Sequence, residues 1–216
     1  MRIRSITPIR VDDDEVARRQ ERYNRLAPSG WHVTLENLPD GSPTELGVPG
    51  DVRASEKLLL ELGAATSPDD YDAFMPDCVL DPSVVELDEA SSVTVLGISR
   101  LGAHHLAACG HTFGVITRNR TIGDEFSQLM TTYGLDRAYR GAFVLDLGVE
   151  AVSDHDAWNA AVRTQAERAR EAGVTMLING CSAVDVATKG TGVRLVDPIE
   201  LAFDVAAAGE RSRLLP

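Results

Sequence analysis

Two cysteines, Cys78 and Cys181, occupy matching places in the two halves of the sequence. Each follows an apolar, strand-like run, residues 71–77 before the first and residues 174–180 before the second, and each precedes another apolar strand. A buried free cysteine is usually a small apolar side chain, but a thiol at the end of a strand can also be held as a reagent. Equivalent positions in two halves favour the second interpretation, because the two thiols could face each other across a cleft.

The remaining candidates for chemistry carry weaker signals. Cys109 lies in an Ala-rich helical stretch that has no counterpart in the other half, so we interpret it as ordinary packing. His104 and His105 lie near a predicted helix start, and no cysteine or carboxylate recurs around them at the spacing of a metal site. Residues 97–102 form too loose a glycine pattern for a dinucleotide fingerprint. The sequence therefore predicts neither a metal site nor a nucleotide site.

The composition narrows the class of protein and of partner. The 216 residues are 44% hydrophobic and 25% charged, which is typical of a globular protein with one large domain or two small lobes. A net charge of -12 would repel phosphate groups, so we expect neither nucleic acid nor an anionic membrane as a partner. Three cysteines and the lack of a long apolar segment favour a cytoplasmic location.

Strands and helices alternate along the chain, which predicts an α/β fold with parallel sheets. The predicted strands cover residues 2–7, 31–35, 71–78 and 91–98 in the first half, and residues 112–117, 141–147, 174–181 and 193–196 in the second. The predicted helices cover residues 14–26, 52–62, 124–133, 156–172 and 198–211. The last of these helices has no counterpart in the first half and could return to cover the first lobe.

The two halves repeat the same order of elements, and internal duplication is the best account of that order. We predict two pseudo-symmetric lobes, each a roughly four-stranded parallel sheet flanked by helices. Residues 1–98 and 199–216 would form the first lobe and residues 99–198 the second. Parallel sheets bind ligands at the carboxyl ends of their strands, where Thr7, Cys78, Thr117 and Cys181 fall.

Five short motifs, spread over nearly the whole chain, carry a resemblance to a known family. They are Asp77-Cys78-x-x-Asp81-Pro82, Val95-Leu96-Gly97-Ile98, Gly110-His111-x-Phe113-x-Val115-Ile116-Thr117, Ile178-Asn179-Gly180-Cys181-Ser182 and Val196-Asp197-Pro198. As a set they resemble the aspartate/glutamate/hydantoin racemase superfamily, and its hydantoin racemase branch most closely.

The resemblance implies two α/β lobes with the active site between them, and a mechanism that uses two cysteines and no cofactor. One thiolate would remove a proton from a carbon next to a carbonyl, and the thiol on the opposite face would return one. Backbone amides must stabilise the enolate oxygen, and those of Val79 and Ser182 are candidates. Gly180 allows a close approach of the backbone, and Ser182 can cap a helix that would begin after Cys181.

One loop departs from the pattern of the hydantoin racemase branch. Where that branch usually has Asn-Pro-Asn-Thr, this chain reads Thr7-Pro8-Ile9-Arg10, and the equivalent place in the second half reads Thr117-Arg118-Asn119-Arg120. Arg10 and Arg120 occupy equivalent positions, so we hypothesise that one or both bind an anionic group of the substrate. The alternative is that both are solvated loop arginines. Thr7, Pro8 and Thr117 complete the predicted substrate-binding set.

These features predict a racemase or epimerase that acts on a hydantoin-like cyclic amide or on a small amino or carboxylic acid. A decarboxylase or cis–trans isomerase of small dicarboxylates, which would need one thiol, is an alternative on the same fold. A protein that binds a small anion without turnover, or a thiol redox sensor, is a second alternative. The expected partner is a small-molecule substrate, and whether the chain forms a homo-oligomer stays open.

Overall fold

Two parallel sheets form the framework of the chain. The structure is a computed structural model that describes residues 1–152, 154–185 and 192–215. The chain divides into two compact units, Met1–Leu101 with Ile199–Pro216, and Gly102–Pro198. Each unit contains one four-stranded parallel sheet flanked by helices, which confirms the predicted α/β fold with two lobes.

The first unit has the strand order β2-β1-β3-β4. Its strands are β1 (Arg2–Ile6), β2 (His32–Glu36), β3 (Ala73–Pro76) and β4 (Thr94–Val95). Its helices are α1 (Asp13–Leu26), α2 (Pro49–Ala64) and α3 (Val84–Ala90), and α4 (Ile98–Ala108) begins in this unit.

The second unit repeats this plan with the order β6-β5-β7-β8. Its strands are β5 (Phe113–Thr117), β6 (Tyr139–Val144), β7 (Met176–Asn179) and β8 (Arg194–Val196). Its helices are α5 (Arg120–Thr132) and α6 (His155–Glu171), with a short 3-10 helix at Val149–Val152. The matching strand orders are what an internal duplication produces.

Strands β3, β5 and β7 are buried along their whole length, whereas β1 is buried at Ile3, Ser5 and Ile6 and carries two arginines. In the first unit Ile6 and Phe74 lie in one core cluster, with Leu59 of α2 beside them. In the second unit Ile116 and Trp158 belong to a separate cluster. The helices that follow β1 and β5 both begin at a polar cap, since Asp12 accepts the N–H of Glu15 and Asn119 accepts the N–H of Ile122.

The last helix, α7 (Pro198–Arg211), belongs to the first unit. Its Phe203 packs against Tyr23 and Trp31, with ring centroids 6.0 and 5.7 Å away. The Trp31 indole N–H donates to Glu210 at 2.8 Å. The end of the chain is therefore fixed to α1 and to the start of β2 by aromatic contacts.

The main difference from the predicted elements lies at β4. The apolar run over residues 91–98 forms a strand of only two residues, because α4 begins at Ile98. Strands β3 and β7 also end earlier than predicted, at Pro76 and Asn179, so both cysteines lie in loops beyond their strands. Across the described ranges, no helix combines the length and apolar character needed to cross a membrane.

Candidate active site

Each cysteine loop leaves its sheet after a backbone hydrogen bond, and the two bonds are equivalent in the two units. The N–H of Asp77 donates to Ile6 at 2.9 Å, and the N–H of Gly180 donates to Ile116 at 2.7 Å. Ile6 and Ile116 lie at or near the carboxyl ends of the central strands of their sheets, and in each unit the cysteine is the next residue after the bonded amide. The two thiols therefore occupy equivalent positions in the two units.

The Cys78 loop turns so that a backbone amide points at the sulfur. The N–H of Leu80 lies 3.4 Å from Sγ of Cys78, whose side chain is only 7% exposed. The carbonyl of Cys78 accepts the N–H of Asp81 at 3.1 Å, which closes the turn. This N–H can donate a hydrogen bond to the sulfur, which is a weak acceptor.

The far end of this loop is fixed by Asp81. Its carboxylate accepts the N–H groups of Ser99 at 3.0 Å and Arg100 at 2.6 Å, in the first turn of α4. Asp81 has a φ of 48°, and a Cβ added at Gly97 would lie 2.7 Å from its Oδ2. Pro82 and Ser83 lead into α3, which begins at Val84, whereas Asp81 accepts the first N–H groups of α4.

The residue before Cys78 carries a buried charge that α1 neutralises. Asp77 is 1% exposed, and its Oδ2 accepts from Nη1 of Arg19 at 3.1 Å while its Oδ1 accepts from the hydroxyl of Tyr23 at 2.8 Å. Burial, together with the charge of Asp77, raises the pKa of Tyr23 well above its ordinary value. Tyr23 therefore stays protonated and remains a donor to Asp77.

The other side of Arg19 contacts a second carboxylate. Nε of Arg19 donates to Glu15 at 2.7 Å, and Arg18 binds the same carboxylate. Burial alone would raise the pKa of Glu15, but the hydrogen bond from Arg18 and the charge of Arg19 outweigh it and hold that pKa below its ordinary value. Sequence reasoning missed this network, since its members lie on α1, far along the chain from Cys78.

The Cys181 loop is held by an asparagine and by a glycine that no other residue can replace without strain. Nδ2 of Asn179 donates to the carbonyls of Cys181 at 2.8 Å and Val184 at 2.9 Å. A Cβ added at Gly180 would lie 2.2 Å from the carbonyl oxygen of Ile116, which is far inside contact distance. The close backbone approach predicted for Gly180 is thus present in the structure.

The two amides predicted to stabilise an enolate lie directly after the cysteines. Val79 is buried, and its N–H donates to no other residue in the described part of the chain. Ser182 is also buried and begins a turn with Ala183. A helix capped by Ser182 would begin at Ala183, but the structure has a turn there and no helix at Val184 and Asp185; residues 186–191 lie outside the described residues.

Thr7 and Pro8, predicted to bind substrate, are buried and hold their own loop. The Thr7 hydroxyl donates to Oδ1 of Asn37 at 3.0 Å and accepts the N–H of Leu38 at 3.3 Å. The carbonyl of Pro8 accepts the hydroxyl of Ser55 at 2.6 Å. Substrate contact by either residue stays a prediction, and Asn37, which sequence reasoning missed, organises this loop.

Three more of the residues predicted to bind substrate lie in different surroundings: Thr117, Arg10 and Arg120. The Thr117 hydroxyl is fully buried and donates to the carbonyl of Asn119 at 3.1 Å. Arg10 pairs with Asp40 at 2.9 Å, whereas Arg120 is exposed at the first residue of α5. Anion binding by either arginine stays a prediction.

Arg118 is a site residue that sequence reasoning passed over. It lies between Thr117 and Asn119 and is only 6% exposed, and its Nη1 donates to the carbonyl of Leu147 at 3.3 Å. Symmetry directed attention to Arg120 instead. Within the residues that the structure describes, no cluster of His, Cys, Asp and Glu could hold a metal ion.

Comparison with known proteins gives a consistent result. The sequence model of the family described as Asp/Glu/Hydantoin racemase matches residues 15–206. Comparison with curated proteins finds no match.

Three solved structures are similar in fold. Allantoin racemase from Pseudomonas fluorescens has a TM-score of 0.84 at 19% identity, over 100% of this chain and 93% of that chain. Allantoin racemase from Klebsiella pneumoniae has a TM-score of 0.81 at 20% identity, over 100% of this chain and 89% of that chain. A liganded double mutant of arylmalonate decarboxylase has a TM-score of 0.65 at 16% identity, over 96% and 91% of the two chains.

Proposed function

Because the chain belongs to the Asp/Glu/hydantoin racemase family, and is therefore an isomerase, we propose that Cys78 and Cys181 are its acid–base pair. The reaction would move a proton at a carbon next to a carbonyl and would need no cofactor. The observation that carries the proposal is the equivalent placement of the two thiols. Each cysteine comes one residue after the backbone N–H that bonds to the central strand of its own sheet.

The proposed reaction is a proton exchange between carbon and two sulfur atoms. The thiolate of one cysteine takes the proton from carbon, and the thiol of the other gives its proton to the opposite face of that carbon. The first cysteine then carries the proton and the second is the thiolate, so the pair is ready for the reverse direction. The N–H of Leu80, 3.4 Å from Sγ of Cys78, fixes the position of that sulfur in its loop.

Negative charge develops on the carbonyl oxygen when the carbon loses its proton. The N–H of Val79, unused within the described chain, and that of Ser182 are the proposed donors to this oxygen. Donors held in place before the reaction lower the barrier because they need no reorganisation. The fixed loops around both cysteines support such a role.

The experiment that tests the proposal is exchange of the substrate proton with deuterium from the solvent, followed by NMR. The panel contains hydantoins, allantoin, amino acids and substituted malonates, and allantoin is included because two of the similar structures carry that name. We expect exchange together with racemisation of at least one compound.

Cysteine variants sharpen the test. Cys78→Ser and Cys181→Ser should each abolish racemisation, while either variant can retain exchange of one enantiomer. Cys109→Ser is the matched control, because Cys109 is the exposed third cysteine and should leave the rate unchanged. Racemisation that survives both Cys78→Ser and Cys181→Ser, or no exchange with any compound, would contradict the proposal.

Decarboxylation is the second candidate, favoured by the similarity in fold to arylmalonate decarboxylase. Release of carbon dioxide from a substituted malonate that depends on only one of the two cysteines would support it. A disulfide formed under mild oxidation, without exchange of any substrate, would instead indicate a redox sensor.

A further inference from the structure

We propose that Arg118 binds a carboxylate of the substrate, which places that substrate among small carboxylic acids and not among neutral cyclic amides. The inference rests on the proposed function in assuming that the site lies at the carboxyl end of the second sheet. In this inference Arg118, and not Arg10 or Arg120, is the residue that binds the negative charge of the substrate.

The first argument is the burial of an uncompensated charge. A guanidinium keeps its charge at every working pH, and a buried charge without a counterion is costly. Arg118 is 6% exposed, and in the described part of the chain its side chain makes one hydrogen bond, to the carbonyl of Leu147, and no ion pair. The residues outside the description, 153, 186–191 and 216, include no aspartate or glutamate that could supply a partner.

The second argument is that Arg118 keeps N–H groups that no described residue accepts. Its one described side-chain hydrogen bond uses Nη1, and 6% of the residue is exposed. Nε and Nη2 of Arg118 are the donors left for a ligand at this end of the sheet. A carboxylate placed there would accept two parallel hydrogen bonds from the planar guanidinium.

The third argument is position, because Arg118 and Cys181 lie at the same end of one sheet in the same unit. A Cβ added at Gly180 would meet the Ile116 carbonyl and would lie 3.0 Å from Cγ2 of Thr117, so the end of β5 touches the Cys181 loop. The N–H of Leu147 donates to the carbonyl of Arg118 at 3.0 Å, which fixes the backbone of this arginine. The backbone of Arg118 is thus fixed at the same end of the sheet as the proposed catalytic thiol.

The fourth argument is the charge of the whole chain. A net charge of -12 repels a carboxylate from most of the surface, so recognition of an acid needs a local cation. Arg10 is paired with Asp40, and Arg120 is exposed. Arg118 combines burial, accessible donors and the absence of a carboxylate partner in the described chain.

The test measures how ligands protect Cys181 from alkylation by iodoacetamide. A Cys78→Ser/Cys109→Ser parent leaves Cys181 as the single thiol, and the probes are malonate and the neutral 5-methylhydantoin. In Arg118→Gln we expect the half-protecting concentration of malonate to rise about 10- to 100-fold, the range of a hydrogen bond to a charged group. In Arg118→Lys this concentration should lie between those of the parent and Arg118→Gln, because lysine keeps the charge but lacks the two parallel N–H donors of the guanidinium.

Controls separate binding from damage to the loop. Arg163→Gln removes an exposed arginine on α6 of the same unit and should change the half-protecting concentration of malonate by less than about twofold. A purely structural role of Arg118 would weaken protection by malonate and 5-methylhydantoin alike, whereas our inference requires the loss to be confined to malonate. If Arg118→Gln does not fold, Arg118→Lys decides the question. The quantity to compare with the parent is then the ratio of the half-protecting concentrations of malonate and 5-methylhydantoin.

Three results would overturn the inference. They are equal malonate protection in Arg118→Gln and its parent, protection by 5-methylhydantoin but not by malonate, and no protection by malonate at all. Failure of the proposed function would give a different set of results. Malonate protection that depends on Arg118, without solvent exchange of any substrate, would support the carboxylate site and contradict the racemase, while exchange confined to neutral hydantoins would do the opposite.

Discussion

Replacement of Arg19 by methionine should destabilise the protein strongly, because it removes a guanidinium that lies 3.1 Å from the buried Asp77 carboxylate. Nη1 of Arg19 lies 3.1 Å from Oδ2 of Asp77, and both side chains are at least nine-tenths buried. Methionine keeps an unbranched apolar stem of similar reach, so the change removes mainly the charge.

The magnitude follows from the type of pair. Removal of one partner of a buried ion pair costs about 3–5 kcal/mol, since the other charge stays buried. The Tyr23 hydroxyl still donates to Asp77 at 2.8 Å, and a hydrogen bond to a charged group contributes about 1.5–3 kcal/mol. We therefore expect Arg19→Met to lower the free energy of unfolding by about 3 kcal/mol, near the low end of the range.

Arg18→Met is the matched control on the same helix. Arg18 is the preceding residue, its side chain is 31% exposed, and it pairs with Glu15. Because solvent still reaches Arg18, this pair should contribute less than the buried one, about 1 kcal/mol. Urea unfolding followed by circular dichroism measures both variants against the parent protein.

A double variant tests the cause. Asp77→Asn added to Arg19→Met removes the stranded charge as well, and it should recover about half or more of the lost stability. The reasoning would be refuted if Arg19→Met cost no more than Arg18→Met, or if the double variant were less stable than Arg19→Met alone.

Three further changes have defined outcomes. Gly180→Ala places a Cβ 2.2 Å from the Ile116 carbonyl, so it should cost about 1–3 kcal/mol in urea unfolding and should alter the rate of Cys181 alkylation. Asp81→Ala leaves two N–H groups of α4 without their acceptor and should cost about 1–2 kcal/mol, whereas Asp81→Asn should cost less, as thermal melts would show. Burial raises the pKa of Tyr139 to about 12, so the folded phenol holds its proton more tightly than the unfolded one. The stability from this difference is present below about pH 10 and is lost as the pH rises through the folded pKa, and melts of Tyr139→Phe should show a smaller loss over that interval.

The alternation of elements was predictable because the central strands β3, β5 and β7 are buried along their whole length and read as largely apolar runs. The final helix illustrates the same point, since its predicted range of 198–211 coincides with α7. The run at residues 91–98 was misleading, because Gly97 and Ile98 are as apolar as strand residues but belong to the turn into α4 and its first residue. Apolar character shows burial without showing which element is buried.

The cysteines could be found from sequence because their signal is local and repeated. The Asp77 network could not, because Arg19 and Asp77 are 58 residues apart and a charged side chain on a helix is ordinarily solvated. Arg118 was missed for a related reason. Three consecutive polar residues after a strand do not show which side chain points inward, and symmetry favoured Arg120.

The different supports of the two cysteine loops have a kinetic consequence. Cys78 follows a buried, neutralised carboxylate, and Cys181 follows a glycine that cannot carry a side chain. If both thiols serve one carbon, the two proton transfers start from unequal environments. A racemase with a single stereocentre has an equilibrium constant of unity, so kcat/KM must be equal for the two enantiomers. The asymmetry should therefore emerge only in the separate constants, with one enantiomer showing a higher kcat and, in the same proportion, a higher KM.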